Sequence, residues 1–322
     1  MRLLNFILPF WYPVYIKQGF TTYPIKIDFF SENYVGYKKN DEVIVHTDVC
    51  PHNGASLAKG WINKNGNLQC PYHGFEFCNG VFNKIPNPSC NSTKTFNGFK
   101  MDIYDTKEDK KIIFMKNFNT VPEIFYPPEE YNSNLFSVEG SCKFDVNYKM
   151  VMENLLDMLH ISYVHSFGSV KTPLPQIKKF EYLNEYHGRT TFEYEPNENS
   201  LGKKLGKVKK VFVENEFILP TSTITRVKAG DTLKTVFTRA IPISDKQTVL
   251  YWKIYRNFWK HRFSDMIVRN LMEKTLEEDM TILKNCYTNH NPTIKTKYDV
   301  TIHNFRKTLK NYENKYNYEN KN

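Results

Sequence analysis

Two cysteine–histidine pairs have the types and spacing that most directly suggest chemistry. The stretch Cys50 to His73, CPHNGASLAKGWINKNGNLQCPYH, contains Cys50-Pro51-His52 and Cys70-Pro71-Tyr72-His73. Thiolates and imidazoles both bind zinc, so the ligand types alone leave a structural zinc open. The spacing favours another group, because each loop supplies one cysteine and one histidine. That division suits a [2Fe–2S] cluster in which one iron takes both cysteines and the other both histidines. Pro51 and Pro71 stiffen the loops, while Gly54 and Gly74 let the backbone turn close to the sulfides.

A second set begins at Glu153, where the chain reads ENLLDMLHISYVH. His160 and His165 are five residues apart, which on an ideal helix leaves their side chains about 140° apart. For both to reach one metal, the helix must end or bulge between them, near Ser162 and Tyr163. Otherwise they are two unrelated histidines. Asp157 lies three residues before His160 and on the same face, placed to hydrogen-bond the other ring nitrogen of a ligating histidine.

Mononuclear Fe(II) sites that activate O2 use two histidines and one carboxylate and leave positions open. The carboxylate is expected from a later helix over 264–289. There Val268, Met272, Thr275, Asp279, Ile282 and Cys286 recur at 4-3-4-3-4 spacing, which puts Asp279 on an apolar stripe. A buried carboxylate is costly unless it is paired or ligates a metal. The adjacent Glu278 is the alternative ligand, or a solvated acid in a run with Glu277.

The two sets, in this order, resemble the Rieske non-haem iron oxygenases, the terminal (alpha-subunit type) components of ring-hydroxylating and demethylating systems. The resemblance rests on the Cys-x-His and Cys-x2-His loops and on Asn154, Asp157, His160 and His165, which match an N-x2-D-x2-H-x4-H signature. Ala55 and Tyr72 stand where Rieske proteins of respiratory complexes carry two disulfide-forming cysteines, so the similarity is to the low-potential branch. Asn53 departs from the arginine that such oxygenases usually carry after the first histidine.

The resemblance implies an α+β fold: an N-terminal all-β Rieske domain, then a helix-grip (START-like) antiparallel-sheet catalytic domain. It implies a [2Fe–2S] cluster on Cys50, His52, Cys70 and His73, and one mononuclear Fe(II) on His160, His165 and Asp279. Electrons would come from a separate reductase or ferredoxin. A head-to-tail homotrimer is implied, with Asp157 bridging a histidine of one subunit's cluster to an iron-ligating histidine. The substrate would be an apolar small molecule, aromatic or terpenoid- or sterol-like. The form of ENLLDMLHISYVH looks closer to monooxygenases and demethylases than to ring dioxygenases. A non-catalytic Rieske electron-transfer or binding protein with an inactive second domain is the competing reading, and a zinc-stabilised interaction module the third.

The elements that must position these residues follow from patterning. Residues 1–118 alternate short apolar runs with turn clusters such as Asn65-Gly66-Asn67, the mark of an all-β domain. The proline-bearing stretch 119–135 reads as a linker, residues 136–306 as the catalytic domain, and 307–322 as a polar, frayed tail. Within the catalytic domain a helix is expected from Tyr148 to His165 and strands from Lys178 to Phe258. The last two strands form a hairpin turning at Ser244-Asp245-Lys246. Phe180, Tyr182, Phe192, Phe212, Phe217, Phe237 and Tyr251 are core positions that could also line a pocket.

Composition bounds the rest. The 322 residues are 40% hydrophobic and 15% aromatic, enough for two packed cores. The net charge is +10, and Lys203, Lys204, Lys207, Lys209 and Lys210 supply five positive charges in one acid-free stretch. That stretch is a solvated loop or a docking surface for an acidic partner. No basic-aromatic stripe points to nucleic acid. Six cysteines, four of them (Cys78, Cys90, Cys142 and Cys286) without paired spacing, argue for a reducing compartment such as the cytoplasm. The apolar N-terminus, broken by Pro9 and Pro13, reads as a first strand, and no transmembrane segment is expected.

Overall fold

Apolar residues at alternate positions dictate strands through most of the chain. In Ile25–Phe29, for example, Ile25, Ile27 and Phe29 face inward while Lys26 and Asp28 do not. The computed structural model describes residues 8–17, 23–85, 99–117, 121–166, 174–195, 208–287 and 292–319. The chain divides into two units, Met1–Glu123 and Ile124–Asn322.

The first unit is all-β. One antiparallel sheet has the order β1(Tyr12–Ile16), β10(Ile112–Lys116), β9(Ile103–Asp109), β4(Glu42–Thr47), β3(Glu32–Lys39), β2(Ile25–Phe29). A smaller sheet runs β5(Trp61–Ile62), β6(Leu68–Gln69), β7(Glu76–Cys78), β8(Val81–Lys84). Its core gathers Val35, Tyr37, Leu57, Leu68 and Phe77, and the thiols of Cys50 and Cys70 belong to the same cluster. The expected first strand is present as β1, preceded by the buried Leu8 and Phe10; residues 1–7 lie outside those described.

The second unit is an open seven-stranded antiparallel sheet, a six-strand meander with the unit's first strand added at the edge beside the last. The order is β11(Phe136–Phe144), β17(Gln247–Arg256), β16(Thr232–Ser244), β15(Ser222–Ala229), β14(Val211–Ile218), β13(His187–Tyr194), β12(Gln176–Asn184). The β16–β17 hairpin turns at Asp245-Lys246. Helices α1(Tyr148–Leu156), α2(Ile161–Val164), α3(Arg262–Leu283) and α4(Val300–Glu319) complete the unit. The α+β architecture expected from the sequence is the one observed.

Several expectations need correction. The stretch read as a linker contributes to the second unit: Phe125, Tyr126 and Leu135 pack against Ile218, Ile224, Phe237 and Tyr255. Glu129 there binds Arg226 and Thr235. Its prolines restrict the backbone, but its aromatics have a face to cover. The tail read as frayed from residue 307 is the body of α4. Phe305 and Leu309 are buried there, and Thr301 Oγ1 lies 2.7 Å from Thr190 Oγ1. The helix expected over 148–165 is two helices with an extended break at Asp157.

On α3 the buried stripe is Val268, Met272, Leu276, Asp279 and Leu283; Ile282 and Cys286 are exposed. Lys203, Lys204, Lys207 and Cys90 lie outside the described residues, so the lysine-rich docking surface does too; Lys210 pairs with Glu193 at 2.7 Å. The five described cysteines are free thiols. Among the described residues no helix is long and apolar enough to cross a membrane.

Candidate functional site

The two cysteine–histidine loops are built alike. Cys50 N–H donates to Ala55 O at 2.8 Å and Gly54 N–H to Cys50 O at 2.9 Å. In the second loop Cys70 N–H donates to Phe75 O at 2.9 Å and Gly74 N–H to Cys70 O at 3.0 Å. Each loop closes through a glycine with positive φ, 74° at Gly54 and 69° at Gly74, a conformation that costs a side-chain-bearing residue about 1–2 kcal/mol. Asp48 anchors the first loop, accepting from Ser56 Oγ at 2.7 Å and Ala58 N–H at 2.6 Å.

This scaffold sorts the four side chains by exposure. Cys50 and Cys70 are buried, while His52 and His73 are exposed, with their Nδ1 atoms 3.2 Å apart. The His52 ring stacks on Phe75 at 4.7 Å and 15°. Burial pushes the Cys50 thiol up to about 11, with Cys70 adding to the rise, while the N–H groups of His52 and Asn53 pull the other way. Two thiolates so placed need a compensating cation. The donor set, two inner sulfurs and two outer nitrogens, therefore fits a [2Fe–2S] cluster. Asn53 differs from the usual arginine in its side chain, which is exposed, but its N–H keeps its aim at the sulfur.

The second site gathers residues far apart in the chain. His160 Nε2 lies 3.2 Å from His165 Nε2. Asp279 Oδ1 lies 3.4 Å from the first and 3.6 Å from the second. These are the described His, Cys, Asp and Glu side chains that converge tightly enough to hold one ion, all within 4.8 Å of one another. Asp279 Oδ1 is buried with no hydrogen-bond partner, which marks a carboxylate made to bind a cation. The N,N,O set fits mononuclear iron.

Both histidines reach this point because they occupy helix ends. His160 is the N-cap of the single-turn α2, and His165 is its C-cap with extended φ −88° and ψ 137°. The angular mismatch of the i, i+5 spacing is thus relieved at the helix termini: of the end or bulge expected near Ser162 and Tyr163, the structure shows helix ends, placed at the two histidines themselves. Upstream, α1 stops at Asp157. Buried Asn215 secures that stop, its Nδ2 within 3.3 Å of Leu155 O and Leu156 O and 2.9 Å from Met158 Sδ.

Each histidine also has a carboxylate beside its Nδ1. Asp157 Oδ2 is 3.7 Å from His160 Nδ1, and Glu278 Oε2 is 3.1 Å from His165 Nδ1. This arrangement fixes the tautomer that turns Nε2 toward the ion. Burial works against a charged His160, but Asp157 and Asp279 outweigh it and push the ring up to about 9. Asp157 is held low in turn, burial being overcome by His160 and the Leu159 N–H. Glu278, weighed from sequence as a ligand or a solvated acid, contacts the outer side of His165 and the Ser166 N–H instead. Asn215 had no sequence role; its one signal was an amide in an otherwise apolar-alternating strand.

Beside the second site is a cavity of about 500 Å³. Its walls are one face of β15–β17, the segment from Asn154 to Ser166, and the stripe of α3 from Val268 to Asp279. None of the seven aromatics named from sequence lines it. Phe192, Phe217 and Phe237 are core, Tyr182 and Phe212 are exposed, and the aromatics on the wall are Phe258 and Trp259.

Residues 10–100 match the family model of the Rieske [2Fe–2S] domain, and residues 144–314 match that of the vanillate O-demethylase oxygenase C-terminal domain. Among curated proteins, the protochlorophyllide-dependent translocon component 52 of Arabidopsis thaliana chloroplasts is 28% identical over 145 residues. That match covers 42% of this chain but spans only 26% of the relative's length. Among solved structures, a mutant NdmA of Pseudomonas putida CBB5 with theobromine superposes with a TM-score of 0.74 at 20% identity, over 94% of this chain and 89% of that one. Dicamba monooxygenase bound to dicamba gives 0.73 at 17% identity, over 96% and 98%. At these identities the likeness is one of fold.

Proposed function

Because the chain belongs to the Rieske non-haem iron oxygenase family, we propose that it is a terminal oxygenase that hydroxylates or oxidatively demethylates a largely apolar small molecule. The observation that carries this is the convergence of His160 Nε2, His165 Nε2 and Asp279 Oδ1 on one point at the wall of the cavity. In this reading Cys50, His52, Cys70 and His73 hold the [2Fe–2S] cluster, and His160, His165 and Asp279 hold the mononuclear iron. When bound, the two centres supply one-electron storage and O2 activation.

The chain's own residues do the remaining work. Asp157 and Glu278 aim the imidazoles through their Nδ1 sides. Val227, Val236, Ile254, Val268 and Met272 give the cavity apolar walls that displace water from a bound substrate. His52 and His73, solvent-facing beside the exposed Tyr72, suit contact with a separate reductase or ferredoxin. Asp157 keeps a third of its side chain exposed, which supports its role as the bridge to a neighbouring subunit's cluster in a homotrimer. The match of residues 144–314 to the vanillate O-demethylase oxygenase C-terminal domain supports demethylation or monooxygenation over ring dioxygenation.

The test is His160→Ala in the cofactor-loaded protein. The expected result is an intact Rieske electron paramagnetic resonance signal with substrate-dependent O2 uptake abolished. Retained oxygenation with an unchanged cluster would sink the reading in favour of an electron carrier.

A further inference from the structure

The cavity wall carries a lysine, Lys234, with no acidic partner among the described residues, beside an arginine, Arg256, that is ion-paired to Asp265 on one side only. Along β16, Lys234 and Val236 face the cavity; along β17, Ile254 and Arg256 do; along β15, Thr225 and Val227 do. The register makes two rows across the strands, Val227–Lys234–Arg256 and Thr225–Val236–Ile254. Lys234 and Arg256 are therefore direct cross-strand neighbours on one face, where two like charges repel. Asp265 answers the charge of Arg256 from one side, and the pair leaves Lys234 and the free Nε and Nη1 of Arg256 as donors an anion could join.

Lys234 has no ion-pair or hydrogen-bond partner among the described residues. It is exposed and lines the cavity, and the protein packed around it still disfavours the ammonium and holds it below the usual lysine range. Arg256 is completely buried. Its Nη2 is used internally, on Asp265, Ser264 Oγ and Trp259 O, but Nε and Nη1 have no partner. Lys274 of α3 also lines the cavity. The acids on the wall are Asp157 and Asp279, both at the histidine end and both turned to the candidate metal site.

Taking the oxygenase reading above as its basis, we propose that the substrate is an apolar monoanion, a carboxylate or its equivalent, whose charged group is held by Lys234 beside Arg256. Lys234 is then a specificity-determining residue. Arg256 contacts Asp265 near the start of α3, and Asp279 lies 14 residues further along that helix, about 21 Å by the helical rise. The anion-binding end and the metal end therefore lie at opposite ends of the helix that lines the cavity. The ligand is an elongated molecule with its charge at the end away from the reaction.

The experiment measures equilibrium binding by calorimetry on the full, cofactor-loaded chain without O2 or reductant, so that no turnover is needed. The probes are dodecanoate against dodecanamide, and biphenyl-4-carboxylate against biphenyl-4-carboxamide. A charge-assisted contact on the cavity wall predicts that at least one acid binds about 10- to 100-fold tighter than its amide. Lys234→Met should bring that ratio to within about 3-fold, and Lys234→Arg should restore most of it.

Equal affinity of acid and amide in both pairs, no binding by either acid, or a preference that survives Lys234→Met overturns the proposal. His160→Ala separates the two readings, because the acid preference should persist there while oxygenation is lost. A protein that never oxygenates yet keeps the Lys234-dependent ratio refutes the oxygenase reading and leaves this one standing.

Discussion

Replacing Glu278 by Gln separates a ligand from a residue that orients one. Glu278 Oε2 lies 3.1 Å from His165 Nδ1, and both its carboxylate oxygens accept from the Ser166 N–H, at 3.3 and 3.2 Å. Its side chain is 20% exposed, whereas that of Asp279 is 4% exposed. Carboxylates that orient metal-ligating histidines change metal affinity by about 10- to 100-fold when removed. Water can partly replace a group as open as Glu278, and glutamine keeps one accepting oxygen, so the lower end applies: about 10-fold weaker metal binding.

The assay is competition of Fe(II) against a chromophoric chelator, with the Rieske signal as an internal control. Asp279→Ala, which removes a ligand atom, should abolish measurable binding at the same site. If Glu278→Gln binds metal within 2-fold of the wild type, the orienting role is wrong. If Glu278→Gln abolishes binding while Asp279→Ala retains it, the two carboxylates have been assigned to each other's roles.

Two further outcomes follow from buried polar groups behind the site. Glu216 is held below the ordinary glutamate range: burial opposes ionisation, but His187, Arg226 and Arg189 overcome it. A depressed folded value means this stabilisation is complete above the unfolded-state pKa of about 4.3 and is lost as pH falls through the lower folded value. Urea midpoints recorded from pH 6 to pH 3 should therefore fall, and Glu216→Gln should flatten that fall; identical acid limbs would refute the linkage. Asn215→Ala removes the amide that meets the last carbonyls of α1 and should cost about 2 kcal/mol. For a domain of this size that lowers Tm by several degrees, and metal loading should fall with it because Asp157 and His160 lose their fixed approach.

The parts legible from sequence were those where chemistry constrains residue type at close range. Cys50, His52, Cys70 and His73 sit within two short loops, and no tertiary knowledge is needed to bring each pair together. Asp279 was legible because an acid on an apolar helical stripe is anomalous in itself. Glu278 was not, since its meaning depends on His165, 113 residues earlier, approaching from one side. Lys234 gave no signal at all, because a lysine in a strand becomes unusual only when the register sets Arg256 against it.

The misread boundaries have a common cause. Polar composition suggested a frayed tail at residue 307, yet Thr301, Phe305 and Thr308 make a buried helical stripe that begins before that point. Proline density suggested a linker, while Phe125 and Tyr126 beside the prolines were the residues that found a sheet to cover.

The tie between α1 and α4 bears on when the metal site comes into being. Lys149 reaches Glu313 across 164 residues, and Glu153 reaches Arg306 across 153. At a synthesis rate of about 5–20 residues per second, α1 leaves the ribosome roughly 10–30 s before the helix that secures it. Asp279 also arrives well after His160 and His165. During that interval the growing chain displays two imidazoles with neither their carboxylate nor their scaffold, open to any divalent ion at hand, and copper or zinc would outcompete iron for them. The full ligand set of His160, His165 and Asp279 is therefore available only once Asp279 has been made.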